Sequence, residues 1–109
     1  FQKKVMMLRE AGIKDIIIDP GFGFGKTIAH NFELLHGLNV FKKLNCPLLA
    51  GVSRKSFVYK SIDITSENAL TGTIVLNTIA LLNGASILRV HDVKEAKQTI
   101  QIFQAYEKK

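Results

Sequence analysis

Apolar positions along this chain switch back and forth between a helical and a strand-like spacing. Val5, Leu8 and Ala11 recur at helical spacing within residues 1–11, and Gly12 stops the run. A helix burying that stripe is predicted there. Ile16-Ile17-Ile18 follows without alternation, as in a strand covered on both faces, so a first strand is placed at Asp15–Asp19. Leu34, Leu35, Leu38, Phe41 and Leu44 restore the helical period and predict an amphipathic helix over Asn31–Leu44, broken by Asn45-Cys46-Pro47. A second strand, Leu48–Val52, leads into Ser53-Arg54-Lys55-Ser56, and an irregular stretch is expected to about Thr65. Ser66–Asn83, closed by Gly84, is predicted as the longest helix. Its middle, Ile74–Leu82, is apolar nearly all round, so it should meet another chain or domain besides the sheet. The third strand is Ser86–Val90. The last helix starts at Asp92, where Asp92 and Glu95 have capping-box spacing, and should bury Ala96, Ile100 and Phe103.

The order α-βα-βα-βα predicts βαβ units and a parallel sheet. Strands recur at intervals of roughly 30–40 residues, the pace of a closed barrel that spends about 250 residues on eight units. A doubly wound open sheet would give the same string of elements. What favours an α/β fold of the (β/α)8 TIM-barrel type is that every strand ends in polar or ionisable residues: Asp19, then Ser53-Arg54-Lys55, then Arg89 and His91. Barrels converge all strand ends on one mouth, whereas open sheets use chiefly the switch point.

The richest chemistry lies in Asp19-Pro-Gly-Phe-Gly-Phe-Gly25-Lys26-Thr27. Gly21, Gly23 and Gly25 let a ligand approach the main chain, and a strand that merely joined a helix would need one glycine. A Walker A loop is one residue longer and would need glycine where Pro20 stands. A dinucleotide fingerprint would place its third glycine one position later. Phe22 and Phe24 are either core or a stacking surface for a flat heterocycle. Asp19 is either a turn residue or the acceptor of two parallel hydrogen bonds from an amidine-like edge. Arg54 and Lys55, between Ser53 and Ser56, read as an anion or carbonyl binder. Arg89 and His91 alternate with Leu88 and Val90 and should share one side of the third strand. A buried, inward Arg89 would need an anion, or else an internal partner in Asp92 or Asp19. His30 and His36 have no partner motif and read as surface or packing residues.

Charge and cysteine narrow the classes. The surplus is +6, but its fifteen Lys and Arg are scattered, so no nucleic-acid stripe appears. The surplus suits either solubility or an anionic small substrate. Cys46 is the sole cysteine, which excludes an internal disulfide, fits a reducing compartment, and suits packing as a small hydrophobe. No apolar run approaches a membrane span and no signal-peptide pattern appears, so the cytoplasm is the expected location. The chain starts at Phe1 inside a helical pattern, and a piece of a longer polypeptide is expected.

Taken together, D-P-G-F-G-F-G-K-T, L-L-A-G-V-S-R-K-S and G-A-S-I-L-R-V-H-D-V resemble the last three βα units of the dihydropteroate synthase family, over nearly the whole chain. The resemblance implies that residues 1–109 are the C-terminal portion of a single pterin-binding barrel domain, usually homodimeric. It implies condensation of 6-hydroxymethyl-7,8-dihydropterin diphosphate with p-aminobenzoate, giving 7,8-dihydropteroate and pyrophosphate in folate synthesis, and a sulfonamide target. Asp19 then resembles the carboxylate that pairs with the pterin edge, and Lys55 the lysine that reaches the pterin ring. Ser56 resembles the contact of the aminobenzoate carboxylate, Phe24 the aromatic beside it, and Arg89 with His91 the pair gripping the diphosphate. Gly23 and Arg54 complete the expected substrate-binding set. Mg²⁺ is implied, with ligands expected from outside this chain. Two departures stand out: Phe57-Val58-Tyr59-Lys60 lacks the family's usual glycine, and Asn68-Ala69 stands where an arginine is frequent. Rival readings are a methyltetrahydrofolate methyltransferase barrel, a non-catalytic paralogue acting in subunit assembly, and a nucleotide hydrolase, which the loop count disfavours. The 109 residues alone are expected to be inactive and poorly soluble.

Overall fold

The computed structural model describes residues 2–23, 25–53, 55–62, 65 and 68–108. Three parallel segments lie side by side at its centre. β1 (Leu49–Ala50) and β2 (Ile87–Leu88) pair in parallel, Leu49 opposite Ile87 and Ala50 opposite Leu88. On the other edge of β1, Ile18 bridges Leu48 in parallel, its N–H donating to the Pro47 carbonyl at 2.9 Å and its carbonyl accepting from Leu49 at 2.8 Å. Sequence order is thus spatial order, with helical crossovers between neighbours, as parallel pairing requires.

All three strands are shorter than the sequence suggests. Asp15–Asp19 reduces to one bridge, and the other two keep two ladder residues each. The last rung is the Arg89 N–H on the Ala50 carbonyl at 3.1 Å, beyond which the chains part to present their polar ends. Nor is the first segment covered on both faces: Ile18 is buried, whereas Ile17 is 56% exposed. The pleat turns Ile17 to the face opposite Ile18, which nothing among the described residues covers.

The helices differ from expectation at their ends. α1 (Gln2–Glu10) closes as predicted at Gly12, whose φ of +89° lets its own N–H and that of Ile13 reach the Arg9 and Leu8 carbonyls. Only Val5 of its predicted stripe is buried; Leu8 and Ala11 are exposed. The predicted Asn31–Leu44 helix is two pieces, α2 (Ile28–His36) and a 3-10 helix (Leu38–Leu44), separated at Gly37. α2 begins earlier than predicted because Thr27 caps it, Oγ1 accepting the His30 N–H at 3.1 Å.

The stretch expected to be irregular contains a short helix, α3 (Ser56–Lys60), formed because Phe57 and Val58 drive into the core. α4 (Leu70–Leu82) starts after the buried Ala69; the predicted start at Ser66 lies outside the described residues. α5 (Val93–Lys108) follows Asp92 directly and packs along α4. It buries Ala96 and Thr99, while Ile100 and Phe103, predicted as buried, are only half covered. The core runs from Ile18, Leu48, Ala50 and Val52 on the sheet to Leu35 and Leu76 on the helices. This layering leaves the carboxyl ends of all three segments open on the same side.

Candidate functional site

Asp19 leaves the first segment and turns back on its own loop, Oδ1 accepting the Gly21 N–H at 2.9 Å. Its other oxygen, Oδ2, lies 3.1 Å from Arg89 Nη1. The expectation of a buried inward arginine is therefore corrected: the Arg89 side chain is 56% exposed, and an exposed guanidinium needs no buried anion. Asp19 is one of the two partners considered from the sequence. Arg89 lies directly over Gly51, where a Cβ would come within 2.6 Å of Nη2.

Lys55 comes from just beyond β1. Its Nζ donates to the Phe22 carbonyl at 2.7 Å, and its stem crosses Gly23, whose φ is +93° and whose added Cβ would meet Cδ at 2.8 Å. Partial burial, then the neighbouring Arg89, pull its pKa below the usual 10.5, with Asp19 opposing them. His91 is fastened to Ser53, which is buried: Ser53 Oγ accepts the His91 backbone N–H at 3.1 Å and lies 3.1 Å from Nδ1. Having accepted one N–H, the hydroxyl keeps a lone pair and its own proton, so it can either donate to Nδ1 or accept from it. Gly51, Ser53, Lys55, Arg89, Val90 and His91 line one small cavity of about 110 Å³, so Arg89 and His91 come together as expected, with Val90 beside them.

The remaining candidates divide. Gly23 joins the cluster beneath Lys55. Ser56 is exposed at the first position of α3, next to Lys55 in the chain but outside the hydrogen-bonded cluster. Phe24 and Arg54 lie outside the described residues. Phe22 is 2% exposed and stacks on Phe57 at 6.0 Å, with Phe32 edge-on to Phe57 at 5.8 Å; it belongs to the core and not to a ligand surface. Lys26 and Thr27, the residues a nucleotide site would use, are spent on the loop itself. Lys26 Nζ donates to the Gly21 carbonyl at 2.6 Å and Thr27 caps α2. His30 and His36 are exposed, and Cys46 packs half-buried against the core while donating to the Leu44 carbonyl.

Gly51, Ser53 and Asn31 belong to the site without having been singled out from the sequence. Ser53 belongs to a noticed motif, and only the fold shows that it holds His91. Asn31 is 1% exposed, with Oδ1 accepting the Gly23 N–H at 2.7 Å. The signal available for it was an amide side chain four residues after a capping threonine. Among the described residues no three His, Cys, Asp or Glu side chains gather, and no helix is long and apolar enough to cross a membrane. Asp19 is already engaged by Arg89 and Gly21, so this donor set does not fit a Mg²⁺ site.

Parallel βα units with a carboxylate, two cations and a histidine at their carboxyl ends fit part of a (β/α)8 barrel. The comparisons agree. The family model for pterin binding enzymes matches residues 1–91, and the chain belongs to that family. Over 107 residues it is 39% identical to the dihydropteroate synthase of Escherichia coli, an alignment covering 96% of this chain and 38% of that protein. The crystal structure of 7,8-dihydropteroate synthase from Vibrio fischeri superposes with a TM-score of 0.89 at 42% identity, covering 98% of this chain and 40% of the other. A dihydropteroate synthase from Coxiella burnetii, in complex with pteroic acid, gives 0.89 at 40% identity, covering 96% and 41%. The chain thus spans about two-fifths of the length of the proteins it matches.

Proposed function

We propose that the chain is the carboxyl-terminal portion of the single pterin-binding barrel domain of a dihydropteroate synthase. The complete enzyme would join 6-hydroxymethyl-7,8-dihydropterin diphosphate to p-aminobenzoate, releasing pyrophosphate. The observation that carries this reading is the convergence of Asp19, Lys55, Arg89 and His91 from three successive parallel segments. Asp19, once released from Arg89, would accept the pterin's adjacent N–H and NH₂ in parallel, a charge-assisted pairing. Lys55 would hold its ammonium against the pterin ring, and Ser56, Phe24 and Arg54 would belong to the aminobenzoate side. Arg89 and His91 would meet the diphosphate and stabilise negative charge growing on the departing pyrophosphate. The amine of p-aminobenzoate is itself the nucleophile, so no protein nucleophile is required. Mg²⁺, if the complete enzyme uses it, would take its ligands from elsewhere, and no step here runs through it.

A cytoplasmic homodimer is part of the same proposal. α4 leaves Val75, Ile79 and Leu82 exposed, and a groove between α4 and α5, lined by Ile74, Thr78, Thr99 and Ile102, has a volume of about 550 Å³. A second copy would cover this apolar face.

Calorimetric titration of the complete parent protein with the pterin diphosphate, followed by addition of p-aminobenzoate, tests the reading. Tight binding and dihydropteroate formation are expected. Asp19→Asn should weaken pterin binding by about 1.5–3 kcal/mol, because the charge-assisted pair is lost. Pterin binding without product would point to a methyltransferase-like barrel or a silent paralogue, and absence of binding would overturn the reading.

A further inference from the structure

One peptide group in the glycine loop is gripped at both ends. The Phe22 carbonyl accepts from Lys55 Nζ at 2.7 Å, and the N–H of the same peptide, on Gly23, donates to Asn31 Oδ1 at 2.7 Å. The Asn31 amide is used on its other side too, Nδ2 donating to the Thr27 carbonyl at 2.9 Å. That second bond fixes which atom faces the loop: oxygen toward Gly23, nitrogen toward Thr27. A peptide followed by glycine turns over readily, because glycine accepts either sign of φ. Were this one to turn, its carbonyl oxygen would face Oδ1, two acceptors against each other in a buried place. Asn31 thus dictates the direction of the Phe22 carbonyl, and that carbonyl aims Lys55 Nζ. The loop gives one reason for the residue, an acceptor for the Gly23 N–H, against the preferences of the helix itself. An asparagine buried inside a helix has a poor helical propensity, and a leucine would add apolar contact.

We propose that Asn31 is a positioning residue for Lys55, acting through the Phe22–Gly23 peptide. The inference rests on the reading of Lys55 as a substrate contact, and its test separates the two. In the complete parent enzyme, Asn31→Ala should lower kcat/KM about tenfold, the size of one directed hydrogen bond. In a Lys55→Ala background the same change should cost less than about twofold, since nothing remains to be aimed. Thr27→Ala is the control: it removes the helix cap, leaves Asn31 Oδ1 on Gly23, and should leave kcat/KM unaltered. A readout free of activity comes from acetic anhydride labelling of Lys55 in ligand-free protein, followed by mass spectrometry. Labelling should be several-fold faster in Asn31→Ala than in Thr27→Ala. If Asn31→Ala does not fold, Asn31→Ser, too short to reach the Gly23 N–H at the same distance, takes its place in both measurements. Losses that simply add in the two backgrounds, or equal labelling of the two variants, would overturn the role. A parent enzyme without synthase activity would overturn the functional reading instead, and the labelling comparison would still decide the role of Asn31.

Discussion

Gly51 and Gly23 lie under the two cations of the site, yet their substitution should have opposite consequences. A methyl group on Gly51 would meet only the far end of Arg89, and its backbone carries no positive φ. Gly51→Ala should therefore change stability by no more than about 0.5 kcal/mol, while pushing the guanidinium aside and weakening pyrophosphate binding severalfold, as calorimetry would read. Gly23 combines positive φ with the Lys55 stem, so no other residue suits it without strain. The lysine itself makes stability depend on pH. Its folded pKa lies below the 10.5 of the unfolded chain, so in the window between them the unfolded chain binds the extra proton. Stability due to this group therefore rises as pH increases through that window, and its penalty is fully present below it. Urea unfolding across the alkaline range should show that rise in the parent and a flatter profile in Lys55→Met. The four strand-end residues were legible in the sequence because a strand that ends in a charge announces a mouth. The core placement of Phe22 was not, since a ring flanked by glycines has no periodicity to betray which way it faces.

At the scale of elements, the connection that matters most is the one the sequence hid. Phe57 lies on α3, stacks on Phe22 and receives the edge of Phe32 from α2, so one ring joins the glycine loop to two helices. Phe57→Ala should cost about 3–5 kcal/mol, measured by denaturant unfolding of the complete protein. α3 escaped notice because five residues are too few for a helical period to appear, and only its tertiary contacts stabilise it. The join at Gly37 was missed for the opposite reason. The leucine spacing runs on through Leu38, Phe41 and Leu44 without pause, and a 3-10 helix satisfies it almost as well as an α-helix. The order of elements and their parallel pairing were readable throughout, because each crossover returns to start a strand on the same side.

For the whole molecule, shape and surface tell the same story. The radius of gyration is 14.7 Å and the extents are 46 × 37 × 21 Å, a slab wider than the roughly 13 Å radius expected of a compact domain of this length. Its exposed apolar side chains include Val75, Ile79, Leu82, Ile102 and Tyr106 on the α4–α5 face, with others on α1, α2 and the 3-10 helix. The proposal of a paired enzyme assigns the α4–α5 face to a second copy. Ile102 on α5 is 72% exposed, so Ile102→Glu should leave the fold intact and turn a dimeric parent into a monomer, as analytical ultracentrifugation would read. The 109 residues taken alone are expected to self-associate and to show no turnover.

The contact between Arg89 and Asp19 has one more consequence. On the proposed roles, each group stands in for a ligand of the other: the guanidinium would occupy the place of the pterin edge, and the carboxylate that of a phosphate oxygen. Filling the site is therefore an exchange of partners, and each arriving group must first displace a resident one. For a solvent-exposed pair that displacement costs only about 0–1 kcal/mol. The pair is thus easily opened, and on the proposed roles whichever half of the substrate arrived first would release the residue that greets the other half.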